Sequence, residues 1–311
     1  MKIVFNGMNS GFSNNGGSRT ILLSQKILTQ LGHECVVAGK VDKFDWFAHD
    51  KIINYIPENF DAIINIAAVD YETTKTMKIP IKACWWRGHE IWGNTEEHLR
   101  YCYTDKEVKN LVNSKGLQKL LESYGADSEV VYQGIDLNDW KYVGGRPYDK
   151  IRIGCLYQKK PTKRWEDFVK LAEILGHKNY EYVGFGDTIR KDSFLDKFIC
   201  IPTHEELVKL YSSCHIWFCP SILEGLSNVP MEAALCSCLI VCSDAPLGGM
   251  IYDYAFDDTA MIYETGNIEH AAKQIRNAKW ENTANMYGYL THFIGSREKN
   301  MKKMINYLGG F

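Results

Sequence analysis

The sequence predicts an α/β protein built from two doubly wound, parallel-sheet domains. Three observations carry that expectation. Short apolar runs alternate with helical patterns in two successive series, and the strands within them are apolar on both faces. At 311 residues the chain also exceeds one comfortable core.

In the first half, Lys2–Gly7 reads as a buried strand and Asn9–Gly17 as a loop rich in Gly, Ser and Asn. Ile21, Leu22, Ile27, Leu28 and Leu31 then recur at helical spacing, with Gly32-His33 as the stop. Cys35–Gly39, Asp61–Ala68, Ile81–Trp86 and Glu129–Tyr132 are the other strands expected here. Lys141–Lys150 is polar and carries two glycines and a proline, which makes it the expected linker. The second series runs through a strand at Ile151–Leu156, a helix at Trp165–Leu175 and a strand at Tyr180–Gly184. A helix at Glu205–Ser212, a strand at Ile216–Pro220, a helix holding Met231–Leu235 and a strand at Leu239–Ser243 follow. Thr283–Leu308 reads as one long helical tail. The expected domains are therefore 1–143 and 150–285, with a closing helix over 286–311.

Bulk composition narrows the class. Lys plus Arg (36) nearly balances Asp plus Glu (38), so no net charge draws the chain to nucleic acid or anionic lipid. The opening apolar run, Ile3-Val4-Phe5, is too short for a signal peptide, and no stretch approaches the ~18 apolar residues of a membrane span. The ten cysteines are scattered, mostly inside apolar runs, and read as buried reduced thiols of a cytoplasmic protein. Peripheral work at the inner membrane surface stays open. Cys236-Ser-Cys238 lacks the second ligand pair of a zinc site, so no metal is expected.

In open α/β sheets ligands bind beyond the carboxyl ends of the strands, which directs the search to loops that follow strands. The segment Pro220–Glu232 follows one strand and enters a helix that Ser227 or Asn228 can cap, with Pro230 in its first turn. Such a helix start suits a diphosphate, while Glu224 and Glu232 are suited to accept hydrogen bonds from sugar hydroxyls. Lys163 stands after another strand, where a cation can neutralise a departing diphosphate. Arg87-Gly-His89-Glu90 follows the strand Ile81–Trp86. Trp85, Trp86 and Trp92 form a possible sugar-stacking platform, with no more than two of the three expected at the surface.

Glu224 and Glu232, separated by seven residues within SILEGLSNVPMEAALCSCLIVCSDAPLGG, resemble the signature of retaining GT-B glycosyltransferases, specifically glycosyltransferase family 4. Asn15-Gly16-Gly17-Ser18-Arg19 looks like that family's N-terminal glycine loop, and Gln133-Gly134-Ile135-Asp136 like the turn before its linker. Tyr182–Asp187 and His204–Ser221 are similar to its C-terminal domain. The resemblance implies the GT-B fold, two Rossmann-like domains facing across a cleft, with the C-terminal helix crossing back to the first domain. It implies Glu232 on the nucleotide ribose, Glu224 on the donor sugar and the backbone of Leu226, Ser227, Asn228 and Val229 around sugar and phosphates. Gly16 and Gly17 would approach the diphosphate, and His89 would touch the donor sugar. Arg87, Glu90 and Trp92 would contact the acceptor. The family usually has Arg five residues before its lysine; Gln158 stands there in this chain, with Lys159 or Lys160 to compensate.

The reaction implied is transfer of a hexose or pentose from a nucleotide-diphosphate sugar to a hydroxyl acceptor, with retention and without a metal or bound cofactor. UDP and GDP types are both open. The acceptor is expected to be a glycan or glycolipid, with hydroxymethylated DNA as an unusual alternative. A nicotinamide oxidoreductase is disfavoured because Asn14-Asn-Gly-Gly-Ser-Arg19 lacks G-x-G-x-x-G. A non-catalytic sugar-nucleotide-binding protein of the same fold is the other competing reading.

Overall fold

The computed structural model describes residues 1–91, 93–245, 247–248 and 250–309. They fall into two compact units: Met1–Gly134 with the chain from Ser296 onward, and Ile135–Gly295.

The first unit holds six parallel strands: β1 (Lys2–Ser13), β2 (Glu34–Lys43), β3 (Ala62–Asn65), β4 (Ile81–Trp86), β5 (Lys109–Val112) and β6 (Glu129–Val130). Their spatial order is β2-β1-β3-β4-β5-β6. The crossovers carry α1 (Gly16–Gln30), α2 (Tyr71–Thr76), α3 (Glu96–Thr104) and α4 (Lys115–Ser123). Alternate residues of each strand enter different apolar layers, as a two-sided parallel sheet requires. Ile3, Phe5, Ile64 and Trp85 pack with Ile21 and Leu28 of α1. Val4, Ala38 and Ile63 enter a second layer. Cys84 and Trp86 enter a third, with Leu99, Tyr103 and Leu117.

The strand expected to stop at Gly7 runs on to Ser13, through register shifts between Gly7 and Phe12 and between Phe12 and Ser13. The buried Asp70 carboxylate explains the extension, accepting the Asn9 and Ser10 N–H groups at 2.6 and 3.2 Å. The expected loop is thus mostly strand, and Asn15 caps α1 directly by accepting the Ser18 N–H at 2.8 Å.

The second unit contains β7 (Ile151–Tyr157), β8 (Tyr180–Gly186), β9 (Lys197–Cys200), β10 (Ile216–Cys219), β11 (Leu223–Glu224), β12 (Leu239–Ser243), β13 (Leu247–Gly248) and β14 (Met261–Tyr263). Six of these form a parallel sheet in the order β14-β12-β10-β7-β8-β9, while β11 and β13 pair separately. Its helices are α5 (Trp165–Leu175), α6 (His204–Ser213), α7 (Asn228–Leu235), α8 (Met250–Asp253), α9 (Ile268–Arg276) and α10 (Asn282–Tyr289). Counted from β7 along the chain, the sheet has the 3-2-1-4-5-6 order of dinucleotide-binding folds.

Three expectations need correction. Lys141–Lys150 is fastened to the second unit rather than being a free linker. Val143 N–H donates to Ser212 Oγ at 3.0 Å, and Arg146 donates to the carbonyls of Cys214 and Ser237 at 2.9 and 2.6 Å. The division therefore falls at Gly134. The long tail helix is broken: α10 passes into a π-helical turn, Leu290–Ile294, and Gly295 at φ 72° ends it. Ser296 then caps α11 (Arg297–Leu308), whose Met301, Met304, Ile305 and Leu308 join the first unit's core beside Ile3 and Ile21. Finally, Trp85 and Trp86 are both buried, so neither offers a sugar platform. Their indole N–H groups donate to Val131 O at 3.0 Å and Asn110 Oδ1 at 2.8 Å.

Among the described residues, no helix is long and apolar enough to cross a membrane. All ten cysteines are free thiols, and Cys200 alone is exposed.

Gly134 sits at φ +70°, and a Cβ there would fall within 2.5 Å of Arg297 N. Gly134→Ala is expected to cost more than about 2 kcal/mol, combining left-handed strain with displacement of the chain entering α11. Gly125, at φ +78° with nothing near its missing Cβ, is the control. Gly125→Ala should cost about 1 kcal/mol from backbone strain alone. Denaturant midpoints compare the two.

Candidate active site

The second sheet grows to one side from β7 as far as β9, then resumes on the other side with β10. The crevice beyond the carboxyl ends of β7 and β10 is therefore the place where strand order reverses, the usual ligand site of an open sheet. Two segments fill it. After β7, Pro161–Lys163 forms a 3₁₀ turn and Arg164 adopts a left-handed conformation before α5 begins. After β10, Pro220-Ser221-Ile222 leads through β11 into α7, whose N-cap residue Ser227 makes no side-chain capping bond.

Hydrogen bonds lock these segments together. Ile222 N–H donates to Thr162 O at 2.9 Å, Ser243 Oγ to Ser221 O at 2.8 Å and the Tyr254 hydroxyl to Ser227 O at 3.1 Å. Across the join, Lys163 Nζ donates to Glu224 Oε1 in an ion pair whose side chains are only 15% and 12% exposed. The pair lines a shallow recess with Ser227, Val229 and Pro230. Leu226 is buried beneath the turn. Glu232 lies inside α7, buried, and accepts from the Tyr211 hydroxyl at 3.3 Å. Arg164 is held by both carboxylate oxygens of Asp167, at 2.5 and 2.8 Å, and so braces the first turn of α5. Lys159 and Lys160 are exposed, and the Lys160 carbonyl accepts the Lys163 N–H at 2.9 Å.

The first unit brings a second group together. Arg87 donates to Gly17 O at 2.6 Å and to Ile66 O at 2.8 Å, joining the start of α1 to the end of β3. Glu90 accepts the Ala68 N–H at 2.9 Å. Burial raises the Glu90 pKa, opposed by that hydrogen bond and by Arg87. Gly16 is exposed at the first turn of α1, and Gly17 lies against the Arg87 guanidinium. His89 is buried, with Nδ1 3.1 Å from the Tyr103 hydroxyl and Nε2 3.2 Å from Glu96 Oε2. Its ring nitrogens are thus already engaged by unit-internal partners. Trp92 lies outside the described residues.

Residues 146–289 match the family model described as Glycosyl transferases group 1. The matched stretch lies within the second unit. No match to a curated protein sequence was found. Among solved structures, the chain is similar to sucrose-phosphate synthase from Thermosynechococcus elongatus, with TM-score 0.80, 13% identity and coverage of 99% of this chain and 98% of that one. HepE from Anabaena, solved in complex with UDP-glucose, gives TM-score 0.76 at 13% identity, covering 99% and 100%. A glycosyltransferase from Rickettsia africae gives 0.76 at 14%, covering 99% and 97%. At these identities the likeness shows the fold, the Rossmann-like pair of parallel-sheet units expected for GT-B.

Within the matched stretch, Lys163, Glu224, Leu226, Ser227, Asn228, Val229 and Glu232 all fall on the two segments at the switch point or on the helix they open. Tyr211 and Tyr254, which hold Glu232 and the turn before α7, were not singled out from sequence. They come from other elements, and nothing in local spacing marks them.

Burial holds the His89 pKa below its ordinary 6.5, against the opposing pull of Glu96. The unfolded chain therefore takes up this proton first as pH falls. The contribution is complete above about 6.5 and is lost below it. His89→Gln should show a smaller fall in denaturation midpoint between about pH 7 and about pH 5 than the parent chain. An unchanged fall would mean that His89 does not titrate in this way.

Proposed function

We propose that the chain is a retaining glycosyltransferase that moves a sugar from a nucleoside-diphosphate sugar to a hydroxyl acceptor, a glycan or glycolipid. The observation that carries this reading is the Lys163–Glu224 pair at the switch point of the matched stretch, beside the start of α7. The N–H groups of the first turn of α7 and the Lys163 ammonium suit a diphosphate. Glu224 suits a sugar hydroxyl and Glu232 a ribose. A UDP donor is the first choice to test, because HepE, which has a similar fold, was solved with UDP-glucose and with UDP.

In the proposed reaction the bond from the anomeric carbon to the phosphate oxygen breaks, and charge grows on the leaving diphosphate. Lys163 and the α7 amides stabilise that charge, so the reading requires no metal. The acceptor oxygen bonds to the same face of the oxocarbenium-like carbon and passes its proton to the leaving phosphate oxygen. No carboxylate nucleophile takes part. His89 is assigned a positioning role in the turn after β4, since Tyr103 and Glu96 already hold its ring. Gly16 and Gly17 keep side chains away from the first turn of α1, so backbone there can approach an anionic ligand.

A screen of UDP-, GDP- and ADP-sugars by thermal shift and donor hydrolysis tests the reading. One nucleotide class should raise the Tm by roughly 5 °C at saturating concentration. Lys163→Ala and Glu232→Ala should abolish the rise. Binding without hydrolysis or transfer would favour a non-catalytic sugar-nucleotide-binding protein. An inverted product anomer would overturn retention.

A further inference from the structure

In the described chain Lys163 and Glu224 neutralise each other, yet the donor reading gives each a different part of the ligand to hold. Resting on that reading, we infer that Glu224 determines specificity between the intact nucleotide sugar and the spent nucleoside diphosphate. The mechanism is an exchange of ionic partners.

Geometry makes the exchange unavoidable. With side chains 15% and 12% exposed, neither charge is well solvated, so each depends on the other. Glu224 is not free to leave with its backbone, because Ile222 is bonded to Thr162 and β11 is paired with β13. Arg164 does not stand in for Lys163, being committed to Asp167. A bare diphosphate that captures Lys163 therefore strands the largely desolvated Glu224 carboxylate beside added negative charge. Leaving one member of a poorly solvated pair alone is strongly unfavourable.

An intact donor avoids this outcome. Its sugar hydroxyls donate to Glu224 while Lys163 turns to the diphosphate, so both charges regain partners. Once the sugar has been transferred, the hydroxyls depart with it. The remaining diphosphate again competes with Glu224 for Lys163. Glu224 thus weakens product binding and favours release, and re-formation of the ion pair resets the site.

The test is calorimetric binding to the full chain, using UDP, GDP and ADP and their sugar conjugates. The parent chain should bind the conjugate of one series about tenfold or more tighter than the free diphosphate. Glu224→Gln should bind the free diphosphate about tenfold tighter than the parent does, with the conjugate unchanged or weaker, so that the preference collapses. Glu224→Asp, which keeps the charge, should keep the rejection of free diphosphate. If Glu224→Gln does not fold, Glu224→Ala carries the same expectation for the diphosphate. Unchanged or weaker diphosphate binding to the neutral variant would overturn the inference while leaving the donor site intact. Absence of binding in every series would instead remove the donor reading, and this inference with it.

Discussion

The parallel pairing of β10 between β7 and β12 is the constraint on which the candidate site depends. Its register sets Ile216 against Ile153, Trp217 against Gly154 and Phe218 against Cys155. On the other edge Cys219 faces Cys242. Because the strands run the same way, their carboxyl ends emerge together, and the turn carrying Glu224 meets the turn carrying Lys163. Gly154 is part of that arrangement. A Cβ at this position would collide with the Trp217 ring, so the seating of that side chain over β7 needs the bare backbone. Burial of all four β10 residues then holds the register, since a one-residue slip would carry Trp217 to the opposite face.

The two units use the same type of crevice differently. In the first unit the switch point lies between β1 and β3, and Arg87 bridges it by donating to Gly17 O and Ile66 O. Those bonds brace the start of α1 from within the unit. In the second unit the crevice holds a lysine and a carboxylate whose charges are satisfied by each other. An ion pair of this kind can be exchanged for ligand groups without unmaking backbone hydrogen bonds. That difference is a physical reason to place the donor in the second unit.

Much of this organisation was legible in the sequence because it is written in local patterns. Apolar runs marked β4 and β12 with the bounds the structure has, and the helix at Trp165–Leu175 likewise. Short polar strands were not legible: β5 begins with Lys109-Asn110 and β9 with an exposed lysine, and both are strands through pairing with neighbours. The extension of β1 depends on Asp70, sixty residues away, which no window around Asn9 contains. The polar stretch Lys141–Lys150 looked like a linker because its anchors, Ser212, Cys214 and Ser237, are distant in sequence. The glutamate and lysine candidates were visible as residues that follow strands. Their pairing with each other, and the buried partners of His89, needed three-dimensional structure.

The central claim is that the turn from β10 into α7, together with the turn after β7, seats the nucleotide sugar. Hydrogen exchange with and without donor measures this directly, because a seated diphosphate takes up backbone N–H groups at the start of α7. The account predicts that donor slows exchange in peptides covering Ser221–Met231 and Lys160–Arg164, and that Lys163→Ala abolishes the effect. Slowed exchange elsewhere in the chain, with both of those segments unchanged, would contradict it.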